Sequence, residues 1–246
     1  MLAPERLARW LTNHSHVGED GRAYRYHPRS DSHSKMLAEF IWDDLLSRCP
    51  TIRHSHEAGA LRHMVNYRHE WPNTAKTKTV DLAIGIANEE EGRADPSLSR
   101  VLISCELKTV MTEHQKSQPR IFDELSSSHL IVHTGDQNAI AAGLTVVNIA
   151  PQFASPLRQR AGAPIQITHH KQPQVAEGMV THLRGLKQRD DTEGTGFEAY
   201  STFIINCDNL GPAHLWTGYP SPQPGEKDHY EVFLSRICEA YIGRFT

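Results

Sequence analysis

The sequence predicts an α/β fold, in which a single domain has a central mixed β-sheet flanked by helices on both faces. Two observations lead to this prediction. After a short first helix, apolar runs of strand length alternate with longer segments of helical spacing, in the order helix, strand, strand, helix, strand, helix, strand, helix. The chain has 246 residues, enough to bury one large core, and it shows no internal repeat and no linker. We therefore predict one domain over residues 1–246.

The first predicted elements are two helices. Residues 3–13 place Leu7, Trp10 and Leu11 on one side of a short amphipathic helix. Residues 32–50 continue the helical spacing of apolar side chains over a longer stretch. Ser32 or Ser34 can cap the start of this second helix, and Pro50 is expected to end it.

A hairpin is predicted next. Residues 78–88 and 99–110 are apolar runs rich in β-branched residues, and the charged stretch 88–99 between them is predicted to be a loop. The two strands are therefore expected to pair in antiparallel fashion. Residues 14–32 are predicted to be a loop with a short strand near Tyr24, and residues 56–72 fit neither pattern.

The second half of the chain repeats the alternation of helices and strands. An early proline, Pro119, is tolerated in the first turns of a helix. Residues 151–170 and the Pro/Gly-rich stretch up to 226 are expected to be irregular. The predicted elements are helices at 113–129, 173–189 and 229–245 and strands at 143–150 and 199–209.

Composition and missing motifs exclude several classes of protein. The formal net charge is −3, so nucleic-acid binding would need a local basic face. The four cysteines form no CxxC pair, and they predict single reduced thiols, such as Cys105 and Cys238, in an intracellular protein. The start of the chain lacks the pattern of a signal peptide, and no stretch approaches the ~20 apolar residues of a membrane span. No phosphate loop, GxGxxG, GxSxG or HExxH motif occurs.

Charged side chains stand at the end of the second hairpin strand, 101-VLISCELKTV-110. Glu106 and Lys108 are two residues apart, so they emerge on the same face of a strand. Asp81 lies among apolar residues on the neighbouring strand, from where it can meet them across the ladder. Two converging carboxylates, with the backbone carbonyl of Leu107, form an oxygen site for Mg²⁺, and Lys108 can orient or deprotonate a water or balance phosphate charge. The alternative is an ordinary cross-strand ion pair.

This pattern resembles the PD-(D/E)XK nuclease superfamily, in particular its type II restriction endonucleases. An Asp is followed about two dozen residues later by Glu-x-Lys on an apolar strand, although Val80 stands where the motif has proline. The resemblance covers residues 33–150, the expected catalytic core. It implies a restriction-endonuclease-like fold. Residues 151–246 are expected to complete the sheet and to serve DNA recognition or dimerisation.

The resemblance implies Mg²⁺-dependent hydrolysis of phosphodiester bonds in double-stranded DNA, with Mn²⁺ as a possible substitute. It makes Asp81 and Glu106 metal ligands and Lys108 the catalytic lysine. Family members often add an acidic residue from the helix before the hairpin; Glu39 is the first candidate, with Glu57 and Glu70 as alternatives. Because cutting both strands needs two active sites, a homodimer or higher homo-oligomer is expected. The protein is expected in a prokaryotic cytoplasm, without a membrane partner.

The helix after the catalytic strand is the predicted DNA-binding element. Its polar side chains His114, Gln115, Lys116 and Arg120 are expected to contact the DNA backbone, and the alternative is a solvated helix face. Two segments rich in Arg, Lys and His, 53–70 and 157–171, are candidates for further positive surface. Two other functions stay open: a defence nuclease effector activated by a ligand or a complex, and an inactive nucleic-acid-binding protein of the same fold.

Overall fold

The computed structural model describes residues 1–74, 77–88 and 97–246. A six-stranded mixed sheet lies at its centre, and helices cover both faces, which confirms the predicted fold class. None of the helices within these ranges is long and apolar enough to span a membrane. The helices are α1 (Ala3–Asn13), α2 (Ser32–Arg48), α3 (Pro50–Glu57), α4 (His114–Gly135), α5 (Gln174–Leu183) and α6 (Tyr230–Phe245).

The strands form one large sheet and two small ones. They are β1 (His16–Val17), β2 (Ala23–Tyr24), β3 (Leu61–Glu70), β4 (Thr77–Ala87), β5 (Leu98–Val110), β6 (Ile140–Asn148), β7 (Gln152–Phe153), β8 (Thr168–His169), β9 (Ala199–Asn206) and β10 (His214–Trp216). The large sheet has the order β10-β9-β6-β5-β4-β3, and β1 pairs with β2 and β7 with β8. Strands β5, β6 and β9 are parallel, and the other neighbours are antiparallel.

The two faces of the large sheet are covered by different helices. On the α2 face, α1, α2 and α6 pack against the sheet, and α2 buries Leu37, Ile41 and Leu45 there. On the α4 face, α4 and α5 bury residues such as Leu125 and Met179. All nine residues of β6 are buried because this parallel strand is covered on both faces. The chain thus buries two apolar layers around one sheet.

Several elements differ from the sequence-based expectation. The ambiguous region 56–72 contains the end of α3 and the whole edge strand β3. Pro50 does more than end α2, because it begins α3, where its fixed φ angle suits the first helical turn. The residue before α2 is Asp31, and its side chain makes no capping hydrogen bond, so the prediction of Ser32 or Ser34 as N-cap is wrong.

The predicted loops contain short elements as well. Region 151–170 holds β7, β8 and a 3₁₀ turn at Pro156–Arg158, and the Pro/Gly-rich stretch before α6 holds β10. Helix α4 runs on to Gly135, six residues beyond its predicted end. Most of the loop predicted between the hairpin strands, residues 89–96, lies outside the described residues.

The cysteines correct one prediction. Cys49, at the junction of α2 and α3, forms a disulfide with Cys238 on α6, whereas Cys105 and Cys207 are free and buried. The prediction of single thiols is therefore wrong for Cys49 and Cys238. The two residues are 189 positions apart, so no local spacing in the sequence indicates the pair.

Candidate active site

The hairpin strands separate at the predicted site. The antiparallel ladder of β4 and β5 ends at the pair Leu82 and Cys105. Beyond it, β4 stays paired with β3 as far as Thr77, and β5 stays paired with β6 as far as Val110. Within the described residues, the sheet thus opens into a fork between β4 and β5. Asp81 on one arm and Glu106 on the other are the first residues past the last pair.

Asp81 fills the gap between the two arms. Its Oδ2 accepts a hydrogen bond of 2.7 Å from the backbone N–H of Leu107. The N–H of a strand residue points sideways in the plane of the sheet, and its C=O points to the same edge. The Asp81 carboxylate therefore lies between the strands, and the carbonyl of Leu107 faces the same gap.

A local kink in the β3–β4 hairpin accompanies this position. Val80 packs in the core of the α4 face, whereas Leu82, two residues later, packs in the core of the α2 face. Residues two apart on a regular strand share one face. The opposite residue on β3, Asn66, has a φ of 52°, a left-handed conformation that Asn adopts more readily than most residues. The alternation of side chains therefore reverses around Asp81.

Glu106 is buried and paired with two lysines. Its Oε1 lies 2.7 Å from Lys108 Nζ, and its Oε2 lies 2.8 Å from Lys78 Nζ. Ser128 on α4 joins this group, because its Oγ accepts a hydrogen bond of 2.6 Å from Lys78 and donates one of 3.4 Å to Glu106. The Glu106 side chain is only 8% exposed, so these contacts stabilise a charge with little access to water.

The ion pairs continue along α4. Lys108 Nζ lies 3.2 Å from Glu124, and Glu124 is also 2.8 Å from Arg120 one helical turn earlier. Helix α4, which follows β5, therefore packs its polar side against Glu106 and Lys108. The predicted proximity of Glu106 and Lys108 is present, together with a connection to α4 that the strand pattern does not reveal.

The carboxylates have opposite pKa shifts. Burial, followed by the nearby charge of Glu106, raises the pKa of Asp81 to about 6, against the opposing effects of the Leu107 amide and the two lysines. Burial alone would raise the pKa of Glu106, but Lys78 and Lys108 outweigh it and lower that pKa. Burial would lower the pKa of Lys108, but Glu106 outweighs it and raises it. Lys108 is therefore an ammonium group at neutral pH.

The oxygen atoms at the fork fit a hard divalent cation. Asp81 Oδ1 has no hydrogen bond within the described residues, and the carbonyl of Leu107 faces the same gap. The Glu106 carboxylate is near enough for its charge to raise the pKa of Asp81. In the part of the chain that the structure describes, no group of three or more His, Cys, Asp or Glu is arranged to hold a metal. Two carboxylates with water and phosphate oxygens suit Mg²⁺, which seldom uses an all-protein cage.

The structure does not bring Glu39 to this site. Helix α2 packs on the α2 face, and Glu39 Oε2 lies 2.9 Å from His63 Nε2, whose ring stacks on Trp42 of α2. Ser128 and Glu124, which contact Glu106 and Lys108, belong to α4 on the opposite face. The prediction of Glu39 as a further metal ligand is therefore wrong. The alternatives Glu57 and Glu70 are exposed at the ends of α3 and β3.

The predicted DNA-binding residues divide into two groups. Gln115, Lys116 and Arg120 are exposed on α4, as a contact with a DNA backbone requires. His114 is buried, and its Nε2 donates a 2.7 Å hydrogen bond to the carbonyl of Asn148. Burial lowers the pKa of His114 to about 4, so the ring is neutral near pH 7. The prediction of His114 as a DNA contact is therefore corrected: the side chain packs inside the protein.

The start of α4 meets the second predicted basic segment. A cavity of about 440 Å³ lies between the first turn of α4 and residues 168–171. Lys116 lines one side, and His169, His170 and Lys171 line the other. The start of α4 and residues 168–171 are distant in the sequence, but the fold places them at a common surface.

Lys78, Ser128 and Glu124 are site residues that the sequence reasoning missed. Lys78 and Asp81 are three residues apart, so on a regular strand they would point to opposite faces. The kink next to Asp81 removes that regularity. Ser128 and Glu124 are four residues apart on α4, and a helix places such residues on one face. This spacing of four is the signal in the sequence that could indicate Ser128 and Glu124 as site residues, but many solvent-exposed helix faces have the same spacing.

Comparisons of this chain with models of known protein families, with curated proteins and with solved structures found no match. The case for a function therefore depends on the residues at the fork of β4 and β5 and on their geometry.

Proposed function

We propose that this protein is a Mg²⁺-dependent endonuclease that hydrolyses phosphodiester bonds in double-stranded DNA, in the manner of a type II restriction endonuclease. The supporting observation is the fork between β4 and β5. There the Asp81 carboxylate accepts a hydrogen bond from the backbone N–H of Leu107, the residue between Glu106 and Lys108. Asp81, Glu106 and Lys108 are the three residues of the PD-(D/E)XK-like pattern. Mn²⁺ is expected to substitute for Mg²⁺.

Each residue has a separate role in this proposal. Asp81, Glu106 and the carbonyl of Leu107 would hold the ion, which when bound supplies positive charge that polarises a phosphate and acidifies water. Lys108 is protonated and partly buried, so we assign it to orienting the attacking water and balancing negative charge on the phosphate. A general-base role suits it less, because Glu106 favours its ammonium form. Glu124 holds Lys108 from the side of α4.

The DNA contacts and the oligomeric state belong to the same proposal. Gln115, Lys116 and Arg120 would bind the DNA backbone beside the site, since they are exposed on the helix that contacts Glu106 and Lys108. Phosphate contacts of this kind position DNA without reading its sequence. Cutting both strands then calls for a homodimer or a higher homo-oligomer.

One observation favours a second candidate. Both oxygens of Glu106 are paired with lysines, so the metal-free site has its charges satisfied. A site of this kind suits a defence nuclease effector that stays inactive until a ligand or a complex rearranges it. The third possibility, a nucleic-acid-binding protein without catalysis, would keep the same ion pairs as structural contacts only.

Plasmid cleavage tests the proposal. Purified protein is incubated with supercoiled plasmid and genomic DNA in the presence of Mg²⁺, and the ends of the products are mapped. The variants Glu106→Gln and Lys108→Met are expected to reduce the cleavage rate about a hundredfold or more, because each removes a charge from the reacting centre. Glu239→Gln, an exposed acid on α6, is the matched control and is expected to cleave like the wild type.

The products distinguish the candidates. Discrete bands with Mg²⁺ alone support a restriction endonuclease, whereas cleavage that appears only with an activator supports the effector. Absence of cleavage of any DNA or RNA with Mg²⁺ or Mn²⁺, with variants that bind nucleic acid like the wild type, would overturn the nuclease proposal.

A further inference from the structure

Lys78 is the charged residue at the fork that the proposed chemistry does not use. It lies near the start of β4, and its side chain is only 20% exposed. Its ammonium group contacts Glu106 Oε2 at 2.8 Å and Ser128 Oγ at 2.6 Å. A lysine that is this buried and this well bonded is held in one place by its partners.

The charges at the fork balance without a metal. Asp81 and Glu106 are two acids, and Lys78 and Lys108 are two bases next to them. A divalent ion bound by the same acids would add two positive charges beside two ammonium groups. Because like charges at a few ångströms repel strongly in a poorly solvated site, the ion and the lysines cannot all keep their contacts with Glu106.

Lys78 and Lys108 would respond differently if Glu106 bound an ion instead of them. Lys108 has a second carboxylate within reach, Glu124 at 3.2 Å, so it stays paired after losing Glu106. For Lys78, Glu106 is the only carboxylate within 4.0 Å among the described residues, and its other contact, Ser128, is neutral. Loss of Glu106 to an ion would therefore cost Lys78 its anionic partner.

We infer that Lys78 is a positioning residue that holds the Glu106 carboxylate in the metal-free protein and competes with the divalent ion for it. This inference deepens the proposed function, because it takes Asp81 and Glu106 as ligands of the ion. Ser128 supports Lys78 by accepting one of its hydrogen bonds. The binding of an ion thus requires Lys78 to release Glu106.

Direct Mn²⁺ binding tests this inference without any nucleic acid. Free Mn²⁺ is measured by electron paramagnetic resonance in titrations of the intact protein at one pH, near 8. Lys78→Met, which keeps the aliphatic stem but removes the charge, is expected to tighten Mn²⁺ binding about tenfold, the scale on which residues behind metal ligands act. Lys78→Arg restores the positive charge and is expected to restore weak binding.

Matched variants assign the effect to this site. Lys35→Met removes a lysine that is also ion-paired, with Asp31 on the surface, and is expected to leave Mn²⁺ binding unchanged. Adding Glu106→Gln to Lys78→Met is expected to abolish the gain. If Lys78→Met does not fold, Lys78→Gln and Ser128→Ala replace it: the first neutralises the lysine, and the second loosens it, with a smaller gain in the same direction.

The outcomes separate the inference from the proposed function. Wild-type binding that depends on Glu106 but is equal or weaker in the Lys78 variants overturns the inference and leaves the metal centre in place. Binding that is absent in the wild type and present in Lys78→Met supports the inference strongly. Absence of binding in both proteins, at millimolar Mn²⁺, overturns the proposed metal centre and the inference with it.

Discussion

Asp81 is a carboxylate whose ionised form is unfavourable in the metal-free protein. Burial and the neighbouring Glu106 raise its pKa to about 6, above the usual 3.8. The folded protein therefore binds this proton more tightly than the unfolded chain does. The protonated carboxyl favours folding below pH 3.8, and this contribution is lost as the pH rises through about 6.

Replacing Asp81 by Asn is expected to stabilise the metal-free protein at pH 8. Asn has no charge to ionise, and its side-chain oxygen can still accept the Leu107 amide. The gain in free energy of unfolding is expected to reach about 2 kcal/mol at pH 8 and to be close to zero at pH 4, where Asp81 is already protonated. Urea unfolding of both proteins at the two pH values measures the difference.

We expect a bound divalent ion to reverse the order of stability of the wild type and Asp81→Asn. Mn²⁺ is expected to stabilise the wild type, because ligands that bind the folded state raise its stability, and to have little effect on Asp81→Asn. An equal effect of the substitution at pH 4 and pH 8 would contradict the assigned ionisation of Asp81.

At the scale of residues, the sequence predicts what depends on strand periodicity and not what depends on local irregularity. The contact of Glu106 and Lys108 follows from a spacing of two on one strand. The contact of Lys78 with Glu106 depends on the kink near Asn66 and Asp81, which no residue pattern announces. Glu39 lies away from the fork because α2 packs on the α2 face of the sheet. That packing depends on the whole apolar core of this face and not on a local residue pattern.

Glu198 links several elements outside the fork through ion pairs and a hydrogen bond. It directly precedes β9, and it is 2% exposed. Its Oε1 lies 2.5 Å from Arg189 and 2.8 Å from Arg244 of α6, and its Oε2 accepts a 2.7 Å hydrogen bond from the amide of Ala141 on β6. One carboxylate thus joins β6, β9, α6 and the segment after α5.

Glu198→Ala is expected to lower the free energy of unfolding by about 3 kcal/mol or more. The substitution leaves the buried Arg189 guanidinium without its counter-charge, and removing one partner of a buried ion pair is strongly destabilising. Glu239→Ala, an exposed acid on α6, is the control and is expected to change stability by less than about 0.5 kcal/mol. Urea denaturation measures both, and a loss below about 1 kcal/mol for Glu198→Ala would contradict this structural role.

Elements were predicted well where burial makes their composition distinctive. Strands β4, β5, β6 and β9 are covered on both faces over much of their length and appear in the sequence as apolar runs. Strand β3 lies at the edge of the sheet and is only partly buried, so LRHMVNYRHE mixes charged and apolar residues as loops do. The position of a strand within the sheet therefore decides whether its sequence identifies it.

The predicted arrangement of the whole molecule depends on the order of its elements. Parallel pairing needs a crossover, and α4 between β5 and β6, and α5 between β6 and β9, supply two. The antiparallel hairpin of β4 and β5 and these crossovers together produce the mixed sheet. The order of the elements does not indicate which distant parts of the chain are linked. The Cys49–Cys238 disulfide is therefore not predicted from the sequence.

The Cys49–Cys238 disulfide connects the junction of α2 and α3 with the C-terminal helix α6. The chain between the two cysteines includes the whole six-stranded sheet. A cross-link that closes so long a loop restricts the unfolded chain strongly, and the chain-entropy model assigns about 5 kcal/mol to it. The double variant Cys49→Ala/Cys238→Ala is therefore expected to unfold at a clearly lower temperature than the wild type.

Thiol titration in denaturant checks the pairing itself. Protein purified without reductant is expected to expose two reactive thiols, those of Cys105 and Cys207, and four after reduction. Because the double variant lacks only the bonded cysteines, it is expected to show two thiols under both conditions, and reductant should leave its unfolding temperature unchanged. Four thiols in the unreduced wild type would contradict the cross-link and would agree with the reduced thiols that the cysteine spacing predicts.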